Sequence, residues 1–417
     1  MKKTITELAI FGGSPAFGMK LHVGGPNIGD RERLMSRITD LLDRRWLTNN
    51  GPFVQELEQK VAELHNVKHC VAVCNATVGL EIVIKALGMS GEVIVPSMTF
   101  VATAHALQWQ EITPVFCDID PKTYNIDPKR IEECITPRTT GIIGVHLFGR
   151  PCDVTALEDI SKRHNLKLLY DSAHAIGCSK DGHMIGGFGD AEVFSFHATK
   201  VFNSLEGGAI TTNDDALALK LQLMRNFGFA GVDHVIYIGV NGKMNEMSAA
   251  MGLTSLESFH EFVDTNYRNY KQYQQELEGV PGLSLISYNE REKLNYQYIV
   301  LDIDEAEMRI TRDQLNAILY RENVLARRYF YPGCHLMEPY RTLYPDAGVS
   351  LHETERISRR ILTLPNGTTV NQQAISQICQ LIRFVATNSG EIIERLDELH
   401  IPREYDPFTY KGPLPEE

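Results

Sequence analysis

Phe194-Ser195-Phe196-His197-Ala198-Thr199-Lys200 continues through Asn203-Ser204-Leu205-Glu206-Gly207-Gly208-Ala209-Ile210. A short aromatic strand is followed by one lysine, and a Gly-Gly pair then leads into a second apolar run. That order predicts a tight connection at a sheet edge with Lys200 inside it. A lysine held among apolar groups loses part of its ammonium hydration, so its pKa falls and the neutral amine can attack a carbonyl. From this segment alone a solvated surface lysine is an equal alternative, and the upstream sequence decides between them. Leu168-Leu169-Tyr170-Asp171-Ser172-Ala173-His174-Ala175 reads as an apolar strand ending in a carboxylate, followed by small residues and a histidine. Asp171 alone would be read as a helix cap. With Lys200 downstream it is well placed to hold the cationic ring nitrogen of a bound cofactor.

At 417 residues the chain exceeds one ordinary core and should divide into a large and a smaller domain. A formal net charge of -12 disfavours nucleic acid and anionic membrane surfaces as partners. The eight cysteines lack paired metal-ligand spacing, and Cys70, Cys74 and Cys117 fall in apolar runs that read as buried strands, so no metal site is expected. Reduced thiols fit a cytoplasmic protein. Met1-Lys2-Lys3 is not followed by a hydrophobic segment of signal-peptide length, because Glu7 and Gly12-Gly13-Ser14-Pro15 interrupt it. Val93 to Gln110, the uncharged stretch nearest in character to a membrane span, carries Pro96, Ser97, Thr99, Thr103, His105 and Gln108 and is too polar to span a bilayer.

Along the chain, residues 1–52 read as an irregular arm rich in glycine and proline, closing on Trp46-Leu47-Thr48-Asn49-Asn50-Gly51-Pro52. From Phe53 a helical pattern precedes the strand His69 to Cys74, and strands then alternate with helices at parallel-sheet spacing. Asn75-Ala76-Thr77-Val78-Gly79 sets small residues with free amides at a helix start, a place that favours an anion, although a plain cap would look the same. Further strands are expected at Glu92–Val95, Pro114–Cys117 and Gly141–Val145, with candidate groups at strand ends, where open α/β sheets bind ligands. One long helix is expected from Met247 to about Leu277, after a Gly-rich loop, Gly239 to Glu246, that reaches outward. An alternating strand is read at Tyr296–Val300 and helices near Thr311–Asn323 and Glu353–Leu362. The domains expected are a large α/β domain over 53–265, a smaller α/β domain over 266–400, and a tail over 401–417.

Taken in order, Thr48-Asn49-Asn50-Gly51-Pro52, Asn75-Ala76-Thr77, Thr99-Phe100-Val101-Ala102-Thr103, His146-Leu147-Phe148-Gly149, Asp171-Ser172-Ala173-His174, Ser195 to Lys200, Glu206-Gly207-Gly208 and Gly239 to Glu246 resemble the DegT/DnrJ/StrS-type sugar-nucleotide aminotransferases. The likeness covers most of the chain. It implies the aspartate-aminotransferase fold (fold type I), with a mostly parallel central sheet, and pyridoxal 5'-phosphate as cofactor. It further implies that Lys200 binds the cofactor covalently and later shuttles the proton, while Asp171 holds the pyridinium and His174 contacts the ring hydroxyl. Phe100 stacks on the ring, and Ala76, Thr77 and Ser195 bind the phosphate. Asn241 reaches the phosphate of a neighbouring subunit, so the enzyme would be a homodimer with shared sites.

The activity so implied moves the amino group of L-glutamate to a nucleoside-diphosphate keto sugar. Phe196-His197-x-x-Lys200 with Glu206-Gly207-Gly208 resembles the branch acting at the 4-position of 4-keto-6-deoxyhexoses, and a dTDP-linked sugar is expected. A 3-keto sugar and a cyclitol are alternatives, the latter because Leu8-Ala9-Ile10-Phe11-Gly12-Gly13 resembles cyclitol-active relatives. A dehydratase of the same fold that replaces the lysine with histidine is disfavoured by Lys200. A non-catalytic cofactor-binding regulator is disfavoured by retention of Asp171, Lys200 and the phosphate contacts.

Overall fold

The computed structural model describes residues 2–400 and Arg403, so the expected tail over 401–417 lies outside the described residues apart from Arg403. Seven strands form the central sheet: β1 His69–Val73, β2 Glu92–Pro96, β3 Thr113–Cys117, β4 Thr139–Val145, β5 Lys167–Asp171, β6 Ala191–Ser195 and β7 Gly208–Thr212. Their order across the sheet is β1-β7-β6-β5-β4-β2-β3. β7 runs antiparallel to both neighbours, and every other pair is parallel. Parallel strands buried on both faces need near-continuous apolar runs, which is what Val93 to Val95 and Leu168 to Tyr170 supply.

Alternation along the strands divides the core. Val71, Val73, Val193 and Ile210 pack against helices α3 (Ala76–Leu87) and α6 (Asp215–Met224) on one face. Cys70, Ala72, Phe194 and Ala209 pack against α2 (Pro52–His65) and α7 (Glu246–Glu257) on the other. Helices α4 (Ala102–Gln108) and α5 (Val154–His164) complete the crossovers, α5 capped by the Asp153 carboxylate, which accepts the Ala156 amide.

A second sheet, antiparallel, joins β8 Leu283–Leu285, β9 Ile299–Ile303 and β10 Ile361–Leu364 in that order. It shares a core with α9 (Arg312–Arg321) and α11 (Gln372–Thr387) and with the start of the chain, where Leu8 is fully buried. The buried Glu322 carboxylate pins that start by accepting the Ala9 and Ala16 amides and pairing with Lys2.

Four sequence expectations change. The arm is not irregular throughout, because α1 (Arg31–Arg44) lies within it, capped by Asp30 and tied to α7 through Arg37 and Glu257. The single helix expected from Met247 to Leu277 is two, α7 and α8 (Phe259–Leu277), broken at Ser258, and Phe259 then packs on the bare Cα of Gly177. The strand expected at Tyr296 begins only at Ile299, since Tyr296 adopts φ 47 and turns the backbone out of extended geometry. Helix α10 (His352–Arg360) ends before the expected Leu362, which belongs to β10.

Candidate active site

Lys200 occupies the loop between β6 and β7. Its amide donates to the His197 carbonyl, and Phe196, Val201 and Phe202 on either side are buried, which fixes the loop as a rigid turn. Lys200 Nζ donates to the Tyr298 hydroxyl at 3.2 Å. Burial removes hydration from the ammonium and lowers its pKa to about 8, against the attraction of Asp171. A substantial fraction is therefore neutral, and nucleophilic, slightly above neutrality.

Asp171 ends β5, two strands from β7. Its Oδ2 accepts the Thr103 hydroxyl at 2.8 Å and its Oδ1 accepts the Ala173 amide at 3.1 Å. These bonds and Lys200 hold the pKa down, but desolvation outweighs them and the net direction is upward. A buried carboxylate whose charge is under-compensated is suited to a cationic partner. The protonated nitrogen of a pyridine ring meets that requirement.

His174 is buried between Phe148 and Tyr298, with ring centroids 4.5 Å from Tyr298. Its Nδ1 accepts the Phe148 amide at 3.1 Å, and burial, with repulsion from Lys200, pushes its pKa well below the ordinary value. The ring is therefore neutral and carries its proton on Nε2. It is a fixed N–H donor suited to a phenolic oxygen.

The phosphate candidates are gathered by one glycine. Gly208 pairs with Ser195 across β7 and β6, and a Cβ on it would stand 2.9 Å from the Ala76 nitrogen and 2.8 Å from the Phe194 oxygen. Only a bare Cα lets β7 close on the turn between β1 and α3, which sets Gly208, the strand partner of Ser195, against the Ala76 amide. The Asn75 side chain caps α3 through the Val78 amide. The first amides of the helix, Ala76 and Thr77, have no carbonyl of their own helix to bond and offer an anion site. Phe100 presents a ring that is 58 % exposed, 6.3 Å from Phe330. Asn241 is exposed on a different loop, bridged to Asn226, where Gly242 closes against Val78 and Ile82.

Sequence reasoning missed Thr103 as the partner of Asp171 and Tyr298 as the partner of Lys200. Thr103 stood in a stretch already singled out, four residues after Thr99, to which its hydroxyl is also bonded at 2.8 Å. Tyr298 lies 98 residues from Lys200 and carries no local signal. Among the described residues no cluster of His, Cys, Asp and Glu could hold a metal, and no helix is long and apolar enough to cross a membrane.

A lysine of lowered pKa facing a buried carboxylate, on a sheet with one reversed strand, is the organisation of an α/β aminotransferase. The family model of the DegT/DnrJ/EryC1/StrS aminotransferases matches residues 29–383, and the chain belongs to that family. It is 38% identical over 365 residues, 88% of this chain and 99% of the relative, to a dTDP-4-amino-4,6-dideoxy-D-glucose transaminase of Shigella dysenteriae. It is 34% identical to a GDP-perosamine synthase of Caulobacter vibrioides, over 78% of this chain and 88% of that protein. The crystal structure of DesI in the presence of its TDP-sugar product superposes with a TM-score of 0.90 and 46% identity, covering 94% of this chain and all of DesI. The chain is a sugar aminotransferase.

Proposed function

We propose that this enzyme transfers the amino group of L-glutamate to the keto carbon of a dTDP-linked 4-keto-6-deoxyhexose, yielding a dTDP-4-amino-4,6-dideoxyhexose. The observation that carries the reading is the convergence of Lys200, Asp171 and His174 at one end of the sheet in a chain so similar to DesI. The Shigella relative's name specifies the same sugar class.

The residues present fit pyridoxal phosphate, which when bound supplies an electron sink for the carbon that loses or gains a proton. The carboxylate of Asp171 would hold the ring nitrogen protonated. Nε2 of His174 would donate to the ring oxygen, and Phe100 would lie on the ring face. The amides of Ala76 and Thr77 and the hydroxyl of Ser195 would bind the phosphate. Lys200 Nζ, neutral once its proton is released, would move the proton from the glutamate carbon to the cofactor carbon in the first half-reaction, and from the cofactor carbon to the sugar carbon in the second.

We further infer a cytoplasmic homodimer with shared sites. Support comes from an exposed apolar hairpin near Asn241, where Val232 is 93 % and Ile238 79 % exposed. An exposed apolar patch of this kind marks a protein contact. Asn241 on this loop would then serve the neighbour's phosphate. The division into an arm over 1–52, a cofactor-binding domain over 53–265 and a small domain over 266–400 is part of the same proposal.

The test is mass spectrometry of the purified enzyme with glutamate and a panel of dTDP- and GDP-linked 4-keto and 3-keto sugars. The dTDP-4-keto-6-deoxyhexose should gain an amine as 2-oxoglutarate appears. Amination confined to a 3-keto sugar or a GDP-linked sugar would overturn the substrate assignment.

A further inference from the structure

The segment Asn295-Tyr296-Gln297-Tyr298, leading into β9 of the second sheet, is bonded both to the turn that follows Asp171 and to the lysine loop. Asn295 Nδ2 donates to the carbonyls of His174 and Ile176 at 2.9 and 3.1 Å. Gln297 Nε2 donates to the carbonyl of Thr199, the residue before the lysine, at 2.9 Å. Tyr298 places its hydroxyl 3.2 Å from Lys200 Nζ.

To reach both sides of the site the backbone must reverse between Asn295 and Gln297. Tyr296 does so at φ 47, a left-handed conformation unfavourable for an aromatic residue. Such a conformation is unfavourable and persists only where its surroundings enforce it. Here Asn366 Nδ2 donates to the carbonyls of Tyr296 and Gln297 at 2.8 and 3.1 Å, and Asn266 Nδ2 to that of Asn295 at 3.0 Å, both asparagines being buried. Buried amides hold an unfavourable turn whose result is the placement of one hydroxyl at the amine.

Resting on the assignment of Lys200 as the reacting amine, we propose that Tyr298 is a positioning residue that holds Lys200 Nζ in place, through its hydroxyl, whenever the amine is free. The ring is packed against Phe148, His174 and Tyr329, and its carbonyl accepts the Tyr288 hydroxyl at 2.8 Å, so the phenol has little freedom to follow the lysine. Burial pushes its pKa well above the ordinary tyrosine value, and the group stays neutral. A neutral phenol serves both protonation states of the amine, accepting from the ammonium and donating to the lone pair of the neutral form. The first of these is charge-assisted and the stronger. Tyr298 thus favours the ammonium and keeps the pKa of Lys200 from falling further.

The test is Tyr298→Phe, which keeps the ring and removes one oxygen. Wild type and variant are treated with glutamate to free the lysine. The pH dependence of Lys200 modification by trace acetic anhydride is then followed by mass spectrometry, a readout that does not require turnover with any sugar. The variant should melt as wild type does, and its half-modification pH should fall by about half a unit to one unit. Its kcat should fall roughly tenfold with KM for the sugar nearly unchanged. An unmoved modification profile with normal kcat overturns the proposal, as does a raised KM at unchanged kcat, which would make Tyr298 a sugar contact. If Lys200 is modified with the pKa of an ordinary surface lysine in wild type, it is the assignment of Lys200 that fails.

Discussion

Asp171→Asn removes one charge and almost nothing else. The amide keeps an oxygen for the Ala173 amide and turns its nitrogen toward the Thr103 hydroxyl, which can accept because it is also bonded to Thr99. Burial already pushes the Asp171 pKa upward, so the carboxylate is poorly compensated without a cationic partner. The cofactor-free variant should therefore melt no lower than wild type. With cofactor bound, the ring nitrogen loses a charged acceptor in a dry site, a loss of about 2 to 4 kcal/mol at the transition state. That is roughly 30- to 1000-fold in rate. The assay is single-turnover absorbance, first with glutamate and then with the keto sugar, because a charge that sustains the electron sink must matter in both halves. Equal slowing of the two is the expected result. Rates within about threefold of wild type, with cofactor retained, would show that another group carries this role.

Gly208→Ala puts a Cβ against the backbone of Phe194, Asn75 and Ala76, none of which can swing aside. Thermal melting should show a loss of about 1 to 3 kcal/mol, and fluorescence titration should show weakened phosphate and cofactor affinity. Lys200 sets a pH dependence in the cofactor-free protein. Between its folded pKa of about 8 and the ordinary value of 10.5, the unfolded chain holds a proton that the folded chain has released. Stability should therefore rise with pH across that window, by up to about 3 kcal/mol, and urea unfolding of Lys200→Met should lack the rise. For the shared site, Lys200→Ala and Asn241→Asp chains are each expected to be inactive. Subunit exchange between them should restore about a quarter of the sites, as random pairing in a two-fold dimer requires; exchange without recovery would remove Asn241 from the neighbour's site.

The central sheet was legible because its strands are apolar runs bounded by turn residues, and Lys200 and Asp171 stood out because each follows or ends such a run. Their meeting needed only the rule that ligands bind at strand ends. The helix Arg31–Arg44 was not legible, since glycine and proline flank it and Met35 and Leu42 face outward rather than into a core of this chain. The break at Ser258 carries no glycine or proline to announce it. Tyr298 escaped for a physical reason of another kind. The left-handed turn at Tyr296 depends on Asn366, 70 residues downstream, so no local pattern could give its conformation or its target.

The central claim is that one amine, Lys200 Nζ, carries the cofactor. Borohydride reduction of the purified enzyme, followed by proteolysis and tandem mass spectrometry, measures this directly. The predicted result is a phosphopyridoxyl mass on the peptide containing Lys200 and on no other lysine, lost in Lys200→Ala although that variant still binds pyridoxal phosphate without a covalent bond. A label on any other lysine, or an active enzyme that takes up none, would contradict it.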